Sequence, residues 1–184
     1  SINKVFTEIY DAWNSDTFFS LIKAFELPTN NQIKTFSRGM RMKAALTIAL
    51  SHDAKLLILD EATAGMDVSG REHVLEILED YLGDDRAILI SSHISEDIEQ
   101  LATQLVFMRD GRIILKESKE VLLSHYGIID QPVEHFNISN EYLIATRRRN
   151  DRQISLVNNY HKVPDAQPLK TIDDATKIIM RGEL

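Results

Sequence analysis

The 184 residues predict an α/β fold in which a helical amino-terminal segment leads into a parallel-sheet core, followed by an antiparallel hairpin and a small α+β region. Three observations carry that expectation. Two continuous apolar runs, Lys55-Leu-Leu-Ile-Leu-Asp60 and Ala87-Ile-Leu-Ile-Ser91, read as parallel strands covered on both faces. Helical periodicity follows each run, so strand and helix alternate as in crossover units. Finally, Asp110-Gly111 sits between two strand-like segments, 104–109 and 112–116, as the dipeptide that best closes a two-residue hairpin.

Taken in order, residues 1–35 read as helical. Phe18, Phe19, Leu21, Ile22, Phe25 and Leu27 recur at helical spacing, with Asp16 or Thr17 as cap and Pro28 as stop. Ser37 precedes a second pattern, Met40, Ala44, Ala45, Ile48 and Ala49, that marks a helix running to about Ser51. After the first strand, Val74, Leu75, Ile77, Leu78, Tyr81 and Leu82 form a helix ended by Gly83. After the second, Ser95–Ala102 is a short acidic helix. Beyond the hairpin, Ser118 opens a helix to about Tyr126 with Gly127 as its stop. Two or three strands follow, including Glu141–Thr146 and Gln153–Val157 joined by a charged turn, Arg147–Asp151. A last helix spans Asp173–Met180. The pattern change places a boundary at 127/128, with a helical part over about 1–51, a core over 52–127 and an accessory region over 128–184.

Composition narrows the function classes. A chain that is 43% apolar and 27% charged is neither low-complexity nor a coiled-coil rod. No apolar run reaches the ~18 residues that a membrane-spanning helix needs. Lys and Arg number 21 against 28 Asp and Glu, a net charge of −7, which disfavours a protein that tracks nucleic-acid phosphates. The deficit is uneven: residues 1–125 carry 13 basic and 20 acidic side chains, whereas 126–184 carry 8 of each, as two segments of different surface character would. The absence of cysteine removes disulfides, thiolate metal sites and thiol nucleophiles together, and fits a reducing compartment.

Four short stretches carry the chemistry. Phe36-Ser37-Arg38-Gly39-Met40 lies at a helix start, where free N–H groups and the positive dipole end favour an anion; Ser37 as a plain helix cap is the competing reading. Asp60 and Glu61 stand at the carboxyl end of a predicted strand, the edge where open parallel sheets bind ligands. An Asp there suits Mg²⁺ and a neighbouring Glu suits polarising a water. Gly65-Met66-Asp67 is a turn whose acid would also cap the following helix. Ser91-Ser92-His93 ends the second strand and brings an imidazole beside the carboxylates if the strands are neighbours. Arg147-Arg148-Arg149 reads as a solvated turn.

In this order and spacing, residues 36–93 resemble the ATP-binding subunits of ABC transporters. Phe36–Met40 is similar to the signature motif, Leu56–Glu61 to the Walker B strand with its catalytic Glu, Ala64–Asp67 to the D-loop and Ser91–His93 to the switch histidine. The resemblance implies a partial P-loop NTPase of the ABC type, with a helical signature subdomain, and the following roles. Glu61 polarises the attacking water and His93 contacts the γ-phosphate. Asp60 supports Mg²⁺, and Ser37, Arg38, Gly39 and Met40 face the ATP held by an opposite subunit. Asp67 links the two sites across a dimer. It further implies ATP and Mg²⁺ as cofactors, a homo- or heterodimer of ATPase subunits, a separate integral membrane permease, no nucleic acid, and a cytoplasmic position on the inner face of the membrane. Three signature positions depart from the commonest form, Leu-Ser-Gly-Gly-Gln, at Phe36, Arg38 and Met40, and Ala62 stands where the family usually has Pro. These departures, with the tail Arg181-Gly182-Glu183, are similar to a bacterial export-type subgroup. The rival expectations are a soluble ABC-type ATPase not engaged in transport, which the missing coiled-coil insertions disfavour, and a non-catalytic binding or regulatory remnant.

The phosphate-wrapping pattern G-x-x-x-x-G-K-[ST] does not occur. Gly65 and Gly70 have the spacing, but Arg71-Glu72 follows where Lys-Ser/Thr is needed. The family places that loop before the helical subdomain, so the expectation is an amino-terminally shortened piece that lacks it. Residues 1–184 on their own should therefore bind Mg-ATP weakly; a tight, Mg²⁺-dependent one-to-one complex in isothermal titration would overturn this.

Overall fold

A computed structural model describes residues 2–183. The chain forms two compact units, 1–94 and 95–184. In the first, α1 (Ile2–Ile9), α2 (Ser15–Ala24), a 3₁₀ turn (Ile33–Thr35) and α3 (Arg38–Leu50) precede β1 (Leu56–Asp60), α4 (Val68–Tyr81) and β2 (Ala87–Ser91). The region expected as generally helical is thus two helices. Asn14, not Asp16 or Thr17, caps α2: its side chain accepts from the Thr17 amide at 2.9 Å. Asn14 directly precedes the first helical residue, Ser15, and so holds the cap position, which leaves Asp16 in the first turn, where its charge complements the dipole. Phe6, Tyr10 and Trp13 stack at 5.3–6.4 Å, and His52 lies over Tyr10 at 4.4 Å.

β1 and β2 pair in parallel, Leu56 opposite Ala87 through to Asp60 opposite Ser91. The expectation that both strands are covered on both faces is not met. Leu57 is buried, but Leu56, Ile58 and Leu89 are 53%, 70% and 59% exposed. Alternate side chains point to opposite faces of a strand, so a two-stranded sheet covered on one side leaves every second apolar residue open. α4 carries the first unit's most deeply buried stripe, Val74, Leu75 and Leu78, and the Tyr81 hydroxyl donates to the Ala54 carbonyl. Its end is Leu82, in extended conformation, one residue before the expected Gly83.

The second unit opens with α5 (Ser95–Leu101) and the hairpin β3 (Gln104–Arg109) and β4 (Arg112–Ser118). Asp110 and Gly111 both take positive φ, 51° and 73°, the requirement of a type I′ turn. Next come α6 (Lys119–His125), β5 (Gly127–Pro132), β6 (Leu143–Arg149), β7 (Arg152–Val157), β8 (Gln167–Pro168) and α7 (Ile172–Arg181). The antiparallel sheet runs β6-β7-β5-β8. Gly127 does not stop α6 as expected. It opens β5 opposite Val157, and Tyr126, already extended, ends the helix. The strand 127–132 has no clear sequence signal because Asp130-Gln131-Pro132 breaks its apolar run. The β6–β7 turn is Asn150-Asp151 alone, so the three arginines belong to a strand.

α7 is held at both ends. Thr171 and Asp174 form a capping box, and the Arg109 guanidinium donates to the Ile179 and Gly182 carbonyls at 2.6 Å each. Leu122, Leu156, Ala175 and Ile179 form the fully buried centre of a core that also takes in Leu105 and Phe107. The hairpin and α6 therefore share their core with residues beyond 127, and the compact division falls at 94/95, not at the pattern change. Among the described residues no helix is long and apolar enough to cross a membrane.

Tyr126 gives this unit an alkaline limit. Burial, the Glu117 charge and the hydrogen bond its hydroxyl donates to Glu117 at 3.3 Å push its pKa up to about 12. The unfolded chain gives up this proton at an ordinary tyrosine pKa of about 10, so the contribution is complete below that pH and is lost as pH rises towards about 12. Urea unfolding from pH 9 to 11.5 should show a falling midpoint for the native chain and a shallower fall for Tyr126→Phe.

Candidate functional site

In-register parallel pairing brings the carboxyl ends of β1 and β2 side by side, and the residues just past them meet. Glu61 leaves β1 at φ 52°, a left-handed conformation that costs a non-glycine residue roughly 1–2 kcal/mol. Its amide donates to the Ser91 carbonyl at 3.1 Å and to the Ser91 hydroxyl at 3.2 Å. Its carboxylate lies 2.5 Å from His93 Nδ1. The Ser91 hydroxyl in turn donates to Asp60 Oδ1 at 2.5 Å. Asp60, Glu61 and His93 thus form one hydrogen-bonded group through Ser91. The only sequence signal for it is a hydroxyl residue at the position that register places opposite Asp60.

The group opens to solvent: the His93 side chain is 71% exposed and that of Glu61 34%. Among the described residues no cluster of three or more His, Cys, Asp and Glu can hold a metal. Asp60 alone is an exposed carboxylate with one oxygen bonded to Ser91. That arrangement fits Mg²⁺, which takes one or two carboxylates and completes its shell with water and phosphate oxygens, and does not fit a metal needing an all-protein cage.

The second group forms at the start of α3. Ser37 is the cap, accepting from the Met40 amide at 3.2 Å, and it is exposed. Arg41 donates to the Phe36 carbonyl at 2.7 Å, which fixes the approach to the helix. Gly39 is buried, and a Cβ there would meet the Gly65 carbonyl oxygen at 3.1 Å. Gly65 is left-handed, φ 79°, and the aliphatic part of Arg38 lies across it, 3.0–3.4 Å from where a Cβ would stand. Arg38 therefore spends its methylenes on the turn. Asp67 caps α4, accepting from Gly70 at 3.0 Å, and so its own carboxylate fills the anion position of that helix. Ser37 and Asp67 are caps, as the simpler readings held. Of the four stretches, 60–61 meets 91–93, and 36–40 meets 65–67. No hydrogen bond joins Ser37 to Asp60, Glu61 or His93 among the described residues.

With this geometry in view, comparison with known proteins shows what the chain is similar to. The family model described as ABC transporter matches residues 6–64. The lantibiotic transport ATP-binding protein SrtF of Streptococcus pyogenes is 41% identical over 116 residues, 63% of this chain and 47% of that protein. The chain is a homologue of ABC-transporter ATP-binding proteins. The ABC transporter ATP-binding protein NatA of Bacillus subtilis is 32% identical over 93 residues, 50% of this chain and 38% of NatA. The chain spans about half the length, or less, of these relatives. Among solved structures, an ATP-binding subunit of an ABC transporter superposes with a TM-score of 0.54 at 24% identity, covering 59% of this chain and 46% of that one. An ATP-binding cassette in a dimeric post-hydrolysis state with ADP and Pi gives 0.51 at 18%, covering 56% and 46%. Such likenesses establish the fold, a partial P-loop NTPase of the ABC type with mixed parallel and antiparallel sheets.

The contact between the ABC signature-like tip and the 65–67 turn is open to a stability test. Gly65→Ala places a Cβ in a left-handed turn and against Arg38, and should lower stability by ~1–2 kcal/mol in urea unfolding. Arg38→Ala in the same background should recover only the steric share, a coupling that a double-mutant cycle reads directly.

Proposed function

We propose that this chain carries the hydrolytic half-site of an ABC-transporter ATPase, a subunit that converts ATP hydrolysis into substrate movement through a separate membrane permease. The supporting observation is the carboxylate–imidazole group, with Glu61 and His93 2.5 Å apart beside an Asp60 that Ser91 restrains. In this reading Glu61 accepts hydrogen bonds from the attacking water and orients it in line with the γ-phosphorus. His93, donating through Nδ1–H to Glu61, donates through Nε2–H to a γ-phosphate oxygen when the ring carries both protons. Mg²⁺ held at Asp60 would neutralise phosphate charge. Positioning and charge stabilisation supply most of the acceleration in phosphoryl transfer, and this chain's contribution is to hold these three groups at one sheet edge.

The helix tip at Ser37 serves the other half. Ser37, Arg38, Gly39 and Met40 face the nucleotide of an opposing ATPase subunit, homologous or identical, and Asp67 connects the two sites. Residues 1–184 themselves contain no phosphate-wrapping G-x-x-x-x-G-K-[ST] sequence. ATP then acts as an adhesive between subunits, and the difference in its affinity for closed and open dimers is the free energy passed to the permease. Residues 36–93 supply the ATPase motifs, and 128–184 are an accessory region that shares one core with the hairpin and α6. The subunit works on the cytoplasmic side, bound to the inner face of the membrane through its permease.

Glu61→Gln separates this from a passive role for the carboxylate. In the assembled ATPase it should reduce turnover at least ~100-fold while nucleotide affinity stays within about twofold, because an interaction made only in the transition state is lost. Equal loss of binding and turnover in filter-binding and phosphate-release assays would remove Glu61 from the mechanism.

A further inference from the structure

We propose that Ser91 is a positioning residue for the carboxylate pair: its hydroxyl clamps Asp60 and the Glu61 amide together and so holds the turn that aims Glu61 at His93. The hydroxyl uses its one proton and one of its two lone pairs there. Its proton goes to Asp60 Oδ1 at 2.5 Å, and a lone pair accepts the Glu61 N–H at 3.2 Å. A hydroxyl has one proton to give and two pairs to accept with, so both bonds form at once. The bond to Asp60 is the short, charge-assisted kind, which fixes the rotation of that carboxylate and leaves its second oxygen facing away from the serine.

The Glu61 amide would keep one acceptor whatever residue stood at 91, since the Ser91 main-chain oxygen lies 3.1 Å away. What serine adds is the second acceptor and the link to Asp60. That addition falls where the backbone most needs it, at a non-glycine residue with φ 52°. Left-handed residues at functional sites persist only when their surroundings over-determine them. Ser92, the next hydroxyl along, has a different orientation: it accepts from the Ile94 amide at 3.0 Å and shapes the following turn. The clamp deepens the ATPase reading and rests on it only for its catalytic consequence; the geometry stands without it.

The test compares Ser91→Ala with Ser91→Thr, which keeps the hydroxyl on a strand-compatible side chain. In the 184-residue chain without nucleotide, amide hydrogen exchange at Glu61, resolved by ¹⁵N NMR, should speed up about fivefold to tenfold in Ser91→Ala, the loss of one net hydrogen bond, and return to within about twofold in Ser91→Thr. In the assembled ATPase, Ser91→Ala should lower kcat about tenfold or more with KM for ATP within about twofold, and Ser91→Thr should restore it. Unchanged Glu61 exchange in Ser91→Ala overturns the clamp. Faster exchange with unchanged kcat overturns the positioning role. The expected exchange pattern in a protein whose native form hydrolyses no ATP overturns the ATPase reading and leaves the clamp in place. Should Ser91→Ala not fold, Ser91→Val against Ser91→Thr, matched in shape, carries the same comparison.

Discussion

The register of β1 against β2 is the constraint on which the site depends. Asp60 opposite Ser91 is the last of five parallel pairs, and the contacts among Asp60, Glu61, Ser91 and His93 follow from that one alignment. A slip of one residue would turn Asp60 to the other face of its strand and carry Ser91 away from the Glu61 amide. Parallel ladders have evenly spaced, slanted bonds, so residues just past the two carboxyl ends share one rim. That is why Glu61 and His93, 32 positions apart, close to hydrogen-bond distance without any loop having to reach.

The second group depends on close packing between two glycines. Gly39, in the first turn of α3, comes within one Cβ of the Gly65 carbonyl, and Gly65 in turn gives room to Arg38. The first residues of α3 and the 65–67 turn can therefore shift only together. Since Asp67 both ends that turn and caps α4, a displacement at the α3 tip reaches the start of α4 through three consecutive residues. This gives the tip a mechanical route into the first unit that needs no long-range wire.

How much of this was legible depended on range. The hairpin at Asp110-Gly111 could be read because its turn chemistry is local: both residues must accept positive φ, and these two do so readily. Ser37, Asp67 and Ser118 could be read as caps for the same reason. The Glu61–His93 meeting was an inference conditional on strand neighbourhood, which only three-dimensional pairing decides. Ser91 stayed hidden because its role is set by register, and register has no sequence marker when the strand is a continuous apolar run. Strand 127–132 is not legible in the sequence because Gly127 has the character of a helix stop, and its use as a strand residue depends on tertiary packing against Tyr160 and Gln167.

The exposure of β1 and β2 connects the site's chemistry to what covers it. Ile58 lies open on a groove of about 220 Å³, lined by Met42, Ala45 and Ala49 from α3, that runs up to Asp60. As it stands the Glu61–His93 pair is largely solvated, and exposed ion pairs contribute only ~0–1 kcal/mol. Any surface laid over this rim would exclude water from the carboxylates, and the same contacts at an effective dielectric of about 20 rather than 80 would be about fourfold stronger. The Ser91 and His93 contacts are in place before such a cover arrives, so closure would strengthen an existing arrangement and pay no cost of building one. Under the proposed ATPase reading, a site organised in this way would gain its catalytic field from the surface that closes over it.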